Sequence, residues 1–451
     1  MRFRNLTRHR EIGANSYLLE SGNQRVVLDA GMHPKHTGQE ALPDFGPLPT
    51  HHAQALLVTH AHHDHIGALP VLQRRQPQAA VLMTEPTGEV GSAMLHNSVN
   101  VMSRQREELG VTEYPMFTHR ELDDIRPQWI YRDYERPFTV PDTDLEASFH
   151  DAGHILGSSG IQLREGGARL FYTGDVCFEN QTLMQAARFP EQDIDVLLLE
   201  TTRGTYARPE DYSRKAEKER LARLIQDTWE ANGSVLIPVF ALGKTQELLL
   251  MMHELSQEGL MPSMPVFIGG LGTKITVLYD HYADRVPRNY PGFRLLEDID
   301  ILVAPRARRR EIQYQSRAIY LLSSGMMTEK TTSNTFAWKF IDNPRNAVAF
   351  VGYTDPETPG YRLRTAAEGS EIRLSPDLSP VKLAARVESF DFSAHATREQ
   401  LADYAERVRP QKLVLVHGEV ESQAWFAQRF QETLPETEII LPEPHRVIDL
   451  W

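Results

Sequence analysis

Residues Thr59 to Gly67 read Thr-His-Ala-His-His-Asp-His-Ile-Gly, which sets His60, His62, Asp64 and His65 within six positions. Imidazole and carboxylate are the side chains zinc takes as ligands. Four of them this close cannot all point one way from a regular helix or strand, so the segment is expected to be a loop wrapped around metal. The spacing is what a two-metal hydrolytic site needs. An apolar run, Ala55 to Val58, precedes the segment and Gly67-Ala-Leu-Pro-Val-Leu comes after it, which places the loop between a buried strand and the start of a helix. The bland alternative is a solvated His-rich tract, but such tracts are of low complexity and this one is interrupted by specific non-ligands.

Two metals need further ligands and supporting groups, best placed at strand ends where a scaffold can aim them. Four residues answer that description. Asp29 ends Arg25-Val-Val-Leu-Asp, after a strand over Ser16 to Glu20 and a Ser-Gly-Asn turn. His154 lies in Asp151-Ala-Gly-His-Ile-Leu-Gly, a glycine-flanked loop that lets backbone approach closely. Asp175 closes Leu170-Phe-Tyr-Thr-Gly-Asp, and His417 follows Leu413-Val-Leu-Val. Any one of these alone reads as an ordinary loop residue; four in one chain form a pattern.

These blocks, in this order, resemble the metallo-β-lactamase-fold hydrolases. The resemblance implies that His60, His62 and His154 bind one zinc, that Asp64, His65 and His417 bind a second, and that Asp175 bridges the two, with Asp29 supporting a ligand from behind. It implies an α/β fold, an αββα sandwich. Asp175 and His417 are separated by a stretch long enough to be a domain. Between them lie Asp195-Val-Leu-Leu-Leu-Glu200, Ser234-Val-Leu-Ile-Pro-Val-Phe-Ala-Leu-Gly, Leu321-Leu-Ser-Ser-Gly-Met-Met-Thr and Ser389-Phe-Asp-Phe-Ser-Ala-His395. They are similar to the β-CASP branch, nucleic-acid-processing nucleases that include ribonuclease J and the endonuclease of mRNA 3′-end cleavage. Carried onto this chain, the branch's catalytic positions are Asp64, Glu200 and His395. The expected boundaries are residues 1–205 and 389–451 for the sandwich and 206–388 for an inserted α/β β-CASP domain.

Within the insert, Leu221, Leu224, Ile225 and Trp229 recur at helical spacing and Gly233 supplies a stop. Strand, helix and strand then succeed one another over Ser234 to Ile268, the alternation of a parallel sheet. Three positions depart from the branch. Thr397 stands where an acid is usual after the Ser-Ala-His block, Phe267-Ile-Gly-Gly-Leu-Gly replaces an Asp-Ser-Pro turn, and Glu329-Lys330 replaces glycines. No appended nucleic-acid-binding module is expected at either end.

Composition bounds the function. At 451 residues two domains are expected, each able to bury a substantial core. The single cysteine excludes an internal disulfide and suits a reducing compartment; Cys177 is read as a small buried apolar group, since the metal set is full without it. No apolar run approaches a membrane span and the basic N-terminus leads into no apolar signal core, so a cytoplasmic location is expected, with no membrane partner. The net charge of −13 disfavours a non-specific phosphate binder, but bound cations reverse the local sign where a scissile phosphate sits.

The expected reaction is metal-assisted hydrolysis of a phosphodiester, endonucleolytic, 5′-exonucleolytic or both, with two Zn²⁺ per chain. Single-stranded nucleic acid is the expected partner, RNA favoured over DNA, and self-association is left open. His395 is the expected general acid and Glu200 its orienting partner. Arg306, Arg308, Arg309 and Arg310 form the strongest basic run and are a candidate contact for a nucleic-acid backbone, although such runs are more often solvated faces. Leu242-Gly-Lys-Thr resembles the end of a phosphate-binding loop but has Pro238 where that motif needs glycine. The alternatives are a DNA nuclease of the same fold, a small-molecule ester or thioester hydrolase, which needs neither the insert nor Glu200 and His395, and a non-catalytic scaffold, which would have lost ligands.

Overall fold

A computed structural model describes residues 1–299, 301–303 and 312–451. The chain forms two compact units. The first comprises Met1–Asn180, Ala186–Arg208 and His395–Trp451, the second Gln181–Gln185 and Pro209–Ala394. The Arg306, Arg308, Arg309 and Arg310 run lies outside the described residues.

The first unit is built on two seven-stranded sheets. One runs in the order Val447–Asp449, Arg2–Asn5, Tyr17–Ser21, Gln24–Leu28, Ala55–Leu57, Ala80–Met83 and Trp129–Tyr131. The other runs Glu438–Ile440, Lys412–Val416, Val196–Glu200, Ala168–Tyr172, Ser159–Glu165, Glu146–Asp151 and Phe138–Thr139. Strand alternation decides how they pack. In Val196–Glu200, Val196 and Leu198 point into a core shared with Val26, Leu28 and Leu57 of the first sheet, whereas Leu197 and Leu199 point outward against Leu401, Phe426 and Phe430 of helices Arg398–Val408 and Val420–Thr433. On the opposite outer face Val27, Leu56 and Val81 meet Leu69, Leu72, Leu95 and Val99 of helices Leu69–Arg75 and Glu85–Leu109. The result is the expected αββα sandwich. Both sheet faces are buried, which is why its central strands read as continuous apolar runs rather than as alternation.

Register then sets where the polar strand ends fall. Tyr172 pairs with Leu198, Glu200 with Val416 and Leu28 with Leu57, all between parallel neighbours. The residues just beyond, Asp29, Thr59, Asp175, Thr201 and His417, therefore leave their sheets at the carboxyl ends of the strands.

Among the described residues the second unit carries a six-stranded sheet, ordered Ile301–Val303, Val266–Ile268, Ile319–Leu322, Val235–Pro238, Ala347–Phe350 and Arg386–Ser389, with every pair parallel, and a two-stranded one, Glu371–Ile372 with Val381–Lys382. Helix Arg214–Glu230 buries Leu221, Leu224 and Ile225 and is capped by Ser213, whose side chain accepts from the Ala216 N–H. Lys244, in the decoy phosphate loop, is buried and donates to the Phe392 carbonyl, which removes it from phosphate chemistry.

Candidate metal centre

The loop after Ala55–Leu57 begins extended, carrying His60 and His62, and then closes into a single helical turn, His63–Ile66, that carries Asp64 and His65. The expectation of a wholly irregular loop is corrected in this half: a turn of helix swings Asp64 and His65 away from the first pair, so that one segment serves two clusters. Gly31 makes room for it, since a Cβ there would stand 1.7 Å from the Asp64 carbonyl oxygen.

All seven expected donors converge. Ligand atoms of His60, His62, His154 and Asp175 lie within 4.8 Å of one another, and so do those of Asp64, His65 and His417. Asp175 links the groups through its two oxygens. Oδ2 is 3.4 Å from His60 Nε2 and 3.6 Å from His154 Nε2; Oδ1 is 3.0 Å from His417 Nδ1 and 3.4 Å from His65 Nε2. Asp64 Oδ2 lies 3.3 Å from His417 Nε2.

These contacts fit cations. His62 Nδ1 stands 3.2 Å from His60 Nε2 and 3.1 Å from His154 Nε2, so three ring nitrogens converge on one point, as donors to a single cation do. Asp175 Oδ1 is buried and lacks a well-directed hydrogen bond, although two imidazoles approach it. Burial, reinforced by His60, pushes His62 down to about 3, and burial also depresses His60 and His154; all three rings are neutral at ordinary pH, the form a cation takes. In the second cluster burial is overcome by carboxylate charge. Asp175 holds His417 up at about 10, and Asp175 with Asp29 raises His65, so a cation binding there competes with protons. Asp64 and Asp175 stay ionised: burial opposes the charge, but His65 and His417 more than offset it.

Supporting groups fix the rings. Asp29 Oδ2 is 2.8 Å from His65 Nδ1 and accepts from the Tyr172 hydroxyl at 2.9 Å, while Oδ1 accepts the Thr59 N–H at 2.7 Å. His65 thereby keeps its proton on Nδ1 and turns Nε2 toward the donors. Asp29 and His417 both adopt left-handed backbone, with φ of 56° and 48°, a conformation that costs a non-glycine residue about 1 kcal/mol or more. Both turn sharply off their strands into the site.

Glu200 ends its strand fully buried; Oε1 accepts the Val176 N–H at 2.7 Å and Oε2 stands 3.5 Å from His395 Nδ1. Burial lowers the basicity of His395, but the negative charge of Glu200 beside it outweighs this and the ring's pKa is raised. Its centroid is 4.6 Å from that of His154, and its donor atom clusters with those of Asp175 and Glu200. Thr397, where an acid was expected, caps helix Arg398–Val408: its side chain accepts from the Gln400 N–H and the Gln400 side chain accepts from the Thr397 N–H.

Three neighbours carry no signal among the motifs of the sequence. Tyr172 holds Asp29, Thr202 Oγ1 is 3.1 Å from His417 Nδ1, and Asn15 Nδ2 is 3.2 Å from His65 Nε2. Tyr172 and Thr202 flank strand ends and could have been flagged by position; Asn15 belongs to no periodic pattern. Cys177 is buried, and its thiol donates to the Glu179 carbonyl, away from the donors. A further group, Glu11, His33 and His36, also brings ligand atoms together. There His33 Nδ1 accepts the N–H groups of Lys35 and His36, so its proton is on Nε2, facing Glu11 Oε1 at 3.4 Å. That ring is a loop anchor with no lone pair to give.

A two-sheet sandwich with seven convergent His and Asp donors defines a metallo-hydrolase class of protein. Residues 9–227 match the family model of the metallo-β-lactamase superfamily, 245–363 that of the β-CASP domain, and 380–442 that of the Zn-dependent metallo-hydrolase RNA specificity domain. The chain belongs to the β-CASP branch of the metallo-β-lactamase superfamily. It is 29% identical to a transcription termination factor FttA from Methanothermobacter thermautotrophicus over 91% of its own length and 66% of the relative's. It is 27% identical to an endoribonuclease YSH1 from Eremothecium gossypii over 93% of its length and 55% of the relative's. The chain thus spans between about half and two thirds of these curated relatives. A crystal structure of a protein of unknown function from Enterococcus faecalis superposes over 99% of both chains with a TM-score of 0.58 and 12% identity, a likeness of fold.

Proposed function

We propose that this protein hydrolyses phosphodiester bonds in single-stranded RNA at a centre for two zinc ions. The observation that carries the reading is Asp175, whose two carboxylate oxygens each face a different cluster of neutral or displaceable donors. His60, His62 and His154 would hold one ion, and Asp64, His65 and His417 the other. Such a pair of ions supplies Lewis-acid activation of water and neutralises charge on the phosphate oxygens.

The chain's own groups do the rest. Asp29 fixes the tautomer and tilt of His65, and Thr202 braces His417. Glu200, pinned by the Val176 amide, keeps His395 oriented and favours its protonated form, so that the imidazolium can give a proton to the oxygen leaving phosphorus. The RNA preference is supported by the match to an RNA specificity domain and by relatives named as an endoribonuclease and a transcription termination factor.

With water rather than the ribose 2′-hydroxyl forming the new bond to phosphorus, and the P–O3′ bond breaking as O3′ takes the proton from His395, the products carry 5′-phosphate and 3′-hydroxyl ends. End-labelled single-stranded RNA and DNA, incubated with the purified protein, test this. The expected result is faster cleavage of RNA with those ends; 2′,3′-cyclic ends would overturn the mechanism. Rapid thioester turnover without nuclease activity would make the protein a small-molecule hydrolase. Internal against terminal fragments would separate endonucleolytic from 5′-exonucleolytic action.

A further inference from the structure

In the second unit the central strand Val235–Pro238 lies between Ile319–Leu322 and Ala347–Phe350, all parallel. The chain leaves Val235–Pro238 through Lys244–Gln257 toward Val266–Ile268, on one side. It leaves each of the two neighbours toward the other side, to Ala347–Phe350 and Arg386–Ser389 respectively. Right-handed crossovers in opposite directions lie on opposite faces of a sheet. Crevices therefore open outside the carboxyl ends on both flanks of Val235–Pro238, where open parallel sheets bind ligands.

Two exposed aromatic residues stand there. Phe240, two residues past Val235–Pro238, is 38% exposed, and Tyr353, three past Ala347–Phe350, is 62% exposed. Both are held in place. The Phe240 ring lies against Gly325, where a Cβ would be 3.1 Å from Cδ2. The Tyr353 hydroxyl donates to Asp355 Oδ2 at 3.3 Å, and Asp355 is itself buried and accepts the Glu357 N–H. A scattered aromatic on a surface needs no explanation. Two fixed rings on adjacent strands of a ligand-binding edge present rigid apolar faces to whatever binds.

The same edge offers a place for negative charge. Val266–Ile268 leads through Gly269 and Gly270 into helix Leu271–His281, whose N-terminus has no side-chain cap. Among the described residues, a Cβ on Gly270 would meet nothing within 4 Å, so its backbone is open to approach from them. In that first turn Thr273 is 8% exposed and, among the described residues, its Oγ1 has no hydrogen-bond partner; Lys274 is exposed. Free amide groups, a hydroxyl and an ammonium in one turn suit a phosphate. The turn connects directly to the aromatic crevice. A Cβ on Gly272 would lie 3.6 Å from Thr245, and Thr245 donates to the Phe240 carbonyl through both its N–H and its hydroxyl. Two strand spacings, about 10 Å, separate the two features.

We propose that this edge is a binding track for single-stranded nucleic acid, with bases stacked on Phe240 and Tyr353 and a backbone phosphate received by the Gly270–Lys274 turn. The proposal rests on the RNA-hydrolase reading for the identity of its ligand. Stacking on aromatic faces is tolerant of sequence, because every base has a π-face.

The test titrates the zinc-loaded full chain with fluorescein-labelled single-stranded RNA whose phosphorothioate linkages resist hydrolysis, alongside kinetics on ordinary RNA. Phe240→Ala should raise Kd about tenfold, and KM more than it lowers kcat, with Phe240→Trp restoring affinity. Tyr353→Ala should act in the same direction. Lys274→Ala should weaken binding at low salt and reduce the salt slope by about 1. If the wild type cleaves RNA while Phe240→Ala, Tyr353→Ala and Lys274→Ala bind as it does, the track is wrong and the hydrolysis stands. Failure of Phe240→Trp to rescue would make Phe240 a structural residue and also overturn the track. If the wild type neither binds nor cleaves single-stranded RNA, both readings fall.

Discussion

Asp29 Oδ2 lies 2.8 Å from His65 Nδ1, and the same carboxylate is held by Thr59 and Tyr172, so one buried acid fixes an imidazole that faces the donor cluster with its other nitrogen. Asp29→Asn keeps the shape and loses the charge that orients His65. We expect the variant to fold and to bind zinc tenfold to a hundredfold more weakly, the usual effect of removing such a partner. Competition against a chelator of known affinity measures it; unchanged affinity would mean that His65 needs no such support.

His395 stands beside the two donor clusters and is proposed as a ligand in neither. His395→Ala should retain zinc and thermal stability while slowing RNA hydrolysis by roughly a hundredfold, the scale of a positioned general acid. Glu200→Gln should slow it less, because Glu200 acts through His395. Loss of zinc from His395→Ala would make it a ligand and reopen the role of His417.

Much of this centre is legible in the sequence because the ligand-bearing segments are short and local. The block from His60 to His65 names its own chemistry, and Asp29, Asp175, Glu200 and His417 sit where apolar strand runs stop. The strand Val196–Glu200 is legible as a continuous apolar run, because both of its faces are buried. The remainder depends on distant pairings. Tyr172 reaches Asp29 across 143 positions and Asn15 reaches His65 across 50, and no local pattern encodes such a contact. Nor does the sequence foretell that His63–Ile66 closes into a helical turn, because histidine and aspartate favour no particular backbone there.

Thr397, at the position where the resemblance leads to an acid, serves as a helix cap. As the N-cap of Arg398–Val408 it satisfies the Gln400 amide. Thr397→Ala should lower stability by about 1 kcal/mol, whereas Thr397→Asp, which caps as well, should not. Chemical denaturation of the two variants decides; equal losses would show that the cap contributes nothing.

Acid should destabilise the second unit through Glu247. This carboxylate is buried, 2.5 Å from Arg214, and accepts the N–H groups of Thr182 and Leu183. Burial raises its pKa, but Arg214 and the two amides more than reverse that, leaving it lowered. A lowered folded-state pKa means that the stabilisation is fully present above the ordinary glutamate value near 4.5 and is lost as pH falls through the folded value below it. Glu247→Gln should cost about 3 kcal/mol at neutral pH and flatten the fall in melting temperature below pH 4.5. Parallel acid profiles in the wild type and variant would exclude Glu247 as the titrating group.

Asp175 Oδ1 and Oδ2 face different donor clusters, which places one carboxylate to join two cation sites. Elemental analysis of purified wild type and Asp175→Ala, paired with RNA hydrolysis, tests it most directly. We predict about two zinc ions per wild-type chain, and loss of most of the metal and of all measurable hydrolysis in the variant. Full metal content in Asp175→Ala, or an active wild type holding a single ion, would contradict the account.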